Sequence, residues 1–418
     1  MVQAIAVIGG GITGVTTAYA LVQRGFAVTV FERHRYAAME TSFANAGQIS
    51  ACNAEVWNRT ATVINGLKWM LRKDAPLLIH PQPTWHKLSW LAEFVASIPH
   101  YENNTIATAK LAVQAREHLF AWARAEGIEF DLRTRGILHV YRDAAGFAHG
   151  QDVSRLLLRG GVVRHTVGPD EMRAIEPAIS GELVGGFYTP DDSTGDIHLY
   201  TVGLAAAAQR KGVQLHFDHA VQALTPTAKG IRVRSLCEGA VHDADFDAVV
   251  VCAGVASRAL AASLGDRVNV YPVKGYSITV DLPDDASRAA APVVSLLDDR
   301  ARVACSRLGE GRLRVAGTAE FNGEDRDIRA SRIQPLVGWV RHNFPAVNTR
   351  HTIPWAGLRP MMPNLMPRVG PGRRPGVFYN TGHGHLGWTL SAITADMVAN
   401  VVQAANATQQ VGGVFQPA

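Results

Sequence analysis

Residues 5–32 read IAVIGGGITGVTTAYALVQRGFAVTVFE. Ile5–Ile8 is a continuous apolar run, as expected of a strand buried on both faces of a parallel sheet. Gly9–Gly14 is a turn. Val15, Ala18, Tyr19 and Val22 then recur at helical spacing over Val15–Arg24, and Gly25 stops the helix. Val28–Phe31 reads as a second strand, ending at Glu32. This predicts a complete βαβ unit with a GxGxxG loop at its first turn. Gly9, with Gly10 beside it, permits the tight turn. Gly11 lets the backbone approach a pyrophosphate, and Gly14 lets the helix pack close to the strand. The helix start offers free N–H groups and a positive dipole end to phosphates. Glu32 is placed to accept hydrogen bonds from ribose hydroxyls and to repel a 2′-phosphate, with Arg33 following it. A dinucleotide cofactor is implied.

FAD and NAD share this unit, so the choice between them rests on segments further along the chain. Residues 41–48, TSFANAGQ, supply the hydroxyls of Thr41 and Ser42, the amides of Asn45 and Gln48, and Gly47. Such a loop, continued by Ile49, could run along an extended cofactor toward a flavin ring. Residues 381–389, TGHGHLGWT, make a second glycine-rich loop before a helix. A helix start there could aim its dipole at the electron-rich edge of a flavin. The loop contains Gly382, His383, Gly384, Gly387, Trp388 and Thr389. His383 and His385 have no thiolate or carboxylate partner nearby, which makes His-x-His a poor metal site. FAD is the expected cofactor, and no metal is expected.

The 418 residues exceed one domain on the usual prior. A helix is expected over 107–126, and strands near 136–142 and 184–189. Ile197–Gly212 reads as a helix and Val213–Phe217 as a strand. Ala248–Val251 is a wholly apolar strand closed by Cys252, Ala253 and Gly254. Alternating strands are expected over Val268–Val280 and Arg312–Gly317. Glycine-rich loops follow Trp355, then a strand at Val377–Asn380 and a helix from about Ser391 to Ala405. Buried-parallel character thus falls in three blocks. The expected fold is α/β: a discontinuous Rossmann-like FAD-binding domain (1–85, 195–270 and 345–418) with an inserted mixed or antiparallel β-sheet substrate domain (86–194 and 271–344).

Apolar residues make up 47% and charged residues 18%, which is globular composition. The net charge of +5 is spread too thinly for a nucleic-acid face. The four cysteines form no CxxC pair, so a reducing compartment is expected. The chain reads as cytoplasmic, with no stretch suited to crossing a membrane. Residues 56–100 hold Trp57, Trp69, Trp85 and Trp90. The run LKWMLRK at 67–73 mixes cations with Trp and so suits contact with the inner face of a membrane; packing over the core is the alternative.

Several segments carry a family resemblance: VIGGGITGVTTAYAL (7–21), ETSFANAGQIS (40–50), LKWMLRKDAPL (67–77), YPVKGYSITV (271–280), WAGLRPMMPN (355–364) and NTGHGHLGWTLS (380–391). Together they resemble the flavin-dependent D-amino-acid oxidase/dehydrogenase superfamily, and within it the bacterial D-amino-acid dehydrogenase catalytic subunits. The likeness implies oxidative deamination of an amino-acid substrate at the flavin, with electrons passed to a quinone or respiratory-chain acceptor. It implies that Arg359, in the element Gly357-Leu358-Arg359-Pro360, binds the substrate carboxylate, and that Val221 gives backbone contacts to adenine. Arg359 suits its part because a guanidinium grips a carboxylate bidentately. Tyr276 is the candidate for a second bond to that carboxylate, and His383 for contact with the reacting centre. The segment after QIS is Ala51-Cys52-Asn53, where the family usually has Pro-Gly, and that stretch bears on substrate range. An oxygen-using oxidase of the glycine- or sarcosine-oxidase kind, and a non-catalytic flavin subunit of a larger complex, remain as alternatives.

Overall fold

The structure, a computed structural model, describes residues 3–69 and 77–412. Two large sheets dominate a mixed α/β fold. The first has six strands in the order 368–371, 377–381, 248–251, 4–8, 27–31, 214–216, all parallel except the first. Its central strands are apolar on both faces because both are covered. On one face Ile5, Val7, Val28 and Val250 pack under the helices Ile12–Val22, Tyr101–Glu126, Ile197–Arg210 and Gly387–Gly412. On the other, Ala6, Ile8, Val249 and Val251 pack with Leu260 and a three-stranded antiparallel sheet at 220–246. Each fully buried aliphatic side chain contributes about 1.5–3 kcal/mol.

The second sheet has nine strands and is largely antiparallel, with parallel pairings at Ser295–Asp298 with Ile137–Tyr141 and at Arg312–Phe321 with Leu77–Ile79. Its core lies between Ile278, Val280, Leu313 and Val315 and the helix Ala330–Asn343.

Most expected elements appear within a few residues of their places. Ala248–Val251 is recovered as read, and the helix expected at 107–126 spans Tyr101–Glu126. The clearest difference is Thr352–Met361. Glycine-rich loops were expected after Trp355, yet this is a ten-residue strand on the edge of the nine-stranded sheet. Proline is tolerated there because an edge strand has one row of N–H groups outside the ladder. Consequently 352–361, and Leu77–Ile79 as well, pair with the second sheet although their blocks were expected with the first. Within the loop expected at 41–50, Gln48–Ile49 pairs with Ser193–Thr194. Of the cation-rich run at 67–73, residues 70–73 lie outside the described residues.

Candidate active site

Loops leaving the carboxyl ends of four adjacent parallel strands meet at one crevice. They are Gly9–Gly14 after Ala4–Ile8, Glu32–Arg33 after Ala27–Phe31, Cys252–Ala256 after Ala248–Val251, and Gly382–His385 after Val377–Thr381. Open α/β sheets bind ligands in such a crevice. With Thr41, Ser42 and Asn45, and with Leu358, Arg359 and Pro360, these loops line one cleft that holds about 1430 Å³ of atom-free space, its open mouth included.

The glycine loop is shaped by close approach. Gly9 has φ 109°, and a Cβ on Gly14 would stand 1.8 Å from the Gly9 carbonyl oxygen. The first helix therefore meets the strand at a distance only glycine allows. Gly11, Ile12 and Thr13 line the cleft at the helix start, where N–H groups lack intrahelical partners. The Ile12 N–H donates to Ser42 Oγ at 3.0 Å. Glu32 is buried, and its Oε2 and Oε1 accept the N–H of Gly10 (2.6 Å) and of His34 (2.9 Å). Each oxygen keeps a further lone pair for a ribose hydroxyl. Arg33 lines the cleft and pairs with Glu40. Beyond them His219, Ala220, Val221 and Gln222 form a wall where the strand ladder slips register between Val221 and Ala223.

At the other end stands Arg359. Its strand runs antiparallel to Tyr271–Asp281, with Val273 opposite Arg359 and Gly275 opposite Gly357. Side chains alternate along strands, so Trp355, Gly357 and Arg359 share a face with Val273, Gly275 and Ser277. The two glycines make room. A Cβ on Gly357 would meet the Trp355 ring at 2.1 Å, and one on Gly275 the Arg359 guanidinium at 2.4 Å. Arg359 Nη1 donates to the Thr318 carbonyl at 3.2 Å. Among the described residues no carboxylate lies within ion-pair distance of Arg359. Burial works against its charge and lowers its pKa to about 10. A partly desolvated guanidinium without a counter-ion is built to receive one, and a planar carboxylate fits it best.

Tyr276 does not join Arg359. The same alternation puts it on the opposite face, buried in the second core, where its hydroxyl donates to Glu320 Oε2 at 2.6 Å. Glu320 and Lys274 are both fully buried there, 3.5 Å apart. Burial raises the Glu320 carboxyl, but bonds from Tyr276 and His80 and the nearby cations outweigh it and leave the pKa lowered.

His383 and His385 both line the cleft. His383 Nε2 meets Thr394 Oγ1 at 2.9 Å, and burial lowers its pKa to about 3. His385 lies face to face with Trp57, ring centroids 4.6 Å apart, and its Nε2 meets the Asn53 carbonyl at 3.2 Å. Burial, aided by Arg359, lowers it to about 4. Both are neutral near pH 7, so His383 offers shape and hydrogen bonds there, with no positive charge. The last helix begins at Gly387, ahead of its expected start, and Gly387 and Trp388 in its first turn line the cleft. Trp388 Nε1 is buried with no partner among the described residues. An orphaned donor at a helix start, the glycine cradle and the Glu32 carboxylate together fit an extended FAD.

Other expected contacts serve the walls from behind. Thr41 both lines the cleft and donates from its hydroxyl to the Leu358 carbonyl at 2.7 Å, tying the loop to the Arg359 strand. Asn45 lines the cleft, and its side chain accepts the Gly47 N–H at 2.8 Å. Gln48 turns to Ser295 Oγ and the Leu296 carbonyl, Ile49 is core, and Thr389 Oγ1 accepts the Ser50 N–H. Gly357 lies beneath Trp355. Ala253, Gly254, Gly382 and Gly384 line the cleft. Sequence reasoning missed His219, Gln222 and Cys252. For Cys252, its place after the carboxyl end of an apolar parallel strand was the signal that could have found it.

Comparison with known proteins places this geometry. Residues 4–401 match the family model described as "DAO: FAD dependent oxidoreductase". The chain is 60% identical over 400 residues to D-amino acid dehydrogenase 3 of Mesorhizobium japonicum, covering 95% of this chain and 96% of that protein. It is 41% identical to D-amino acid dehydrogenase of Paramagnetospirillum magneticum, covering 95% and 94%. Among solved structures, glycine oxidase from Geobacillus kaustophilus superposes with a TM-score of 0.75 at 22% identity, covering 96% and 95%, which establishes the shared fold. The chain belongs to the DAO family of FAD-dependent oxidoreductases.

Proposed function

We propose that the protein is a D-amino-acid dehydrogenase, converting D-amino acids to 2-oxo acids and ammonia. The observation that carries this is Arg359, a guanidinium at the end of a cofactor cleft with no counter-ion among the described residues, in a chain 60% identical to a D-amino acid dehydrogenase. Bound FAD supplies the two-electron acceptor for the hydride leaving the substrate Cα. Arg359 holds the substrate carboxylate by paired N–H bonds and so fixes where the Cα–H points. Glu32, Ser42 and the first-turn N–H groups of the first helix hold ribose and pyrophosphate. His385 forms part of one wall, held by its stack on Trp57. His383 and His385, neutral by burial, leave the amine proton to solvent. The imino acid then takes up water and releases ammonia.

The electrons are proposed to pass to a quinone-type acceptor. Contact with the inner face of a membrane is supported by the helix Trp85–Ala96, where Trp85, Leu88 and Val95 are exposed apolar side chains. No helix among the described residues is long and apolar enough to cross a membrane. If Trp85→Ser co-sediments with anionic vesicles as the parent does, this helix is not the contact. The main test is anaerobic mixing of the holoenzyme with D- and L-amino acids while flavin absorbance is followed. Bleaching by D-amino acids is expected, and its absence with every D-amino acid sinks the proposal. Peroxide formed at the turnover rate would instead make it an oxidase.

A further inference from the structure

The nine-stranded sheet departs from its ladder where it passes Arg359. Between the strands Arg312–Phe321 and Tyr271–Asp281, Gly317 lies opposite Tyr276 and Glu320 opposite Lys274. Thr318 and Ala319 therefore face the single residue Gly275, which makes a β-bulge. Thr318 has φ 58°. That is the left-handed region, where a β-branched residue is an outlier and where such bulges ordinarily use glycine. Thr318 is buried, and its Oγ1 has no partner among the described residues. Strained residues persist only where their surroundings impose the conformation, and they cluster at functional sites.

Here the bulge has a visible consequence. Its Thr318 carbonyl accepts the hydrogen bond from Arg359 Nη1, and the guanidinium lies over Gly275, the residue opposite the bulge. A Cβ on Gly275 would stand 2.4 Å from Cζ and from both Nη atoms. Gly275 has no positive φ that would demand glycine. The guanidinium above it is what leaves no room for a side chain.

We propose that Thr318 and Gly275 form the seat of Arg359: a bulge carbonyl at its side and a bare Cα beneath it, which together fix where the guanidinium ends and hence where the substrate lies. This rests on the reading of Arg359 as the carboxylate anchor. Both are positioning residues, acting through Arg359. A long, flexible side chain keeps a single reach only when its tip is held, and the geometry for hydride departure tolerates little drift.

The test uses the FAD-loaded enzyme, with benzoate as a carboxylate that cannot be oxidised, followed through the flavin absorbance. KM and kcat with a D-amino-acid substrate are measured alongside. Gly275→Ala introduces no backbone strain and pushes only on the tip of a flexible side chain. It should keep its FAD and melting temperature while benzoate Kd and substrate KM rise about tenfold or more. Unchanged benzoate binding in Gly275→Ala would overturn the seat. Arg359→Gln separates the two ideas. If it loses benzoate while Gly275→Ala keeps it, only the seat falls; if it binds benzoate normally, the anchor falls and the seat with it.

Discussion

Gly14→Ala puts one methyl group where the first helix meets the first strand. Its Cβ would sit 1.8 Å from the Gly9 carbonyl oxygen and 2.9 Å from the Gly9 carbonyl carbon. Backbone atoms cannot swing aside as a side-chain tip can, so the helix start must retreat by more than about 1 Å to restore van der Waals distance. Overpacking of this kind costs ~1–3 kcal/mol, and a backbone clash belongs at the upper end. For 418 residues the shift is roughly 1 °C per kcal/mol, so the melting temperature should fall by about 3 °C. The same retreat moves the first-turn N–H groups away from the pyrophosphate. Losing one charge-assisted bond, ~1.5–3 kcal/mol, weakens FAD about 10- to 150-fold. Apoprotein titrated with FAD, read by quenching of flavin fluorescence, measures this directly. A variant that binds FAD with the parent affinity and melts at the parent temperature would refute the close-packing argument for Gly14.

Three further outcomes are expected. Glu32→Gln keeps an acceptor for one backbone N–H but removes the charge offered to ribose, so FAD should bind ~1.5–3 kcal/mol more weakly; an unchanged affinity by the same titration would detach Glu32 from the cofactor. Tyr276→Phe removes the donor to buried Glu320 and should destabilise the fold by ~1–3 kcal/mol in urea unfolding, with substrate KM within about twofold; a tenfold rise in KM would restore Tyr276 to the active site. His383 and His385 have folded pKa values of about 3 and about 4, below the 6.5 of a free imidazole. Below about pH 6.5 the unfolded chain therefore binds more protons than the folded one, and stability is lost as pH falls toward 4. Each contributes ~2 kcal/mol of loss between pH 7 and 5. The urea midpoint should fall over that interval, and fall less in His385→Gln; an equal fall in both would show that His385 is not the titrating group.

The cofactor half was legible in the sequence because its requirements are local. A glycine needed for close approach, a helix start and a carboxylate at a strand end all lie within residues 5–32, and they meet at one cleft. The substrate half was less legible because its requirements are set by register. Whether Tyr276 faces Arg359 or turns away depends on one step of alternation in a pairing between residues 271–280 and 352–361. Nothing in either segment alone states that parity. The strand carrying Arg359 was hidden by its own glycine and prolines. Gly357 is there for the Trp355 ring and not for a turn, while Pro354 and Pro360 are tolerated by an edge. Likewise nothing in YPVKGYSITV alone shows that Gly275 lies beneath a guanidinium.

The parallel sheet also constrains how the chain can be born. Strand Ala4–Ile8 takes one neighbour from Ala27–Phe31 and the other from Ala248–Val251, which in turn awaits Val377–Thr381. A ribosome delivers these partners in order, so the earliest strand keeps an open edge until Ala248–Val251 has emerged. Such long-range pairing is slow and leaves adhesive edges exposed meanwhile. The loop at 382–385, proposed to contact the flavin, follows all of these strands in the chain, so capture of FAD would report an assembled parallel sheet. A series of stalled nascent chains should gain flavin only after that loop clears the tunnel. In this architecture FAD binding would depend on strands far apart in the chain having already paired.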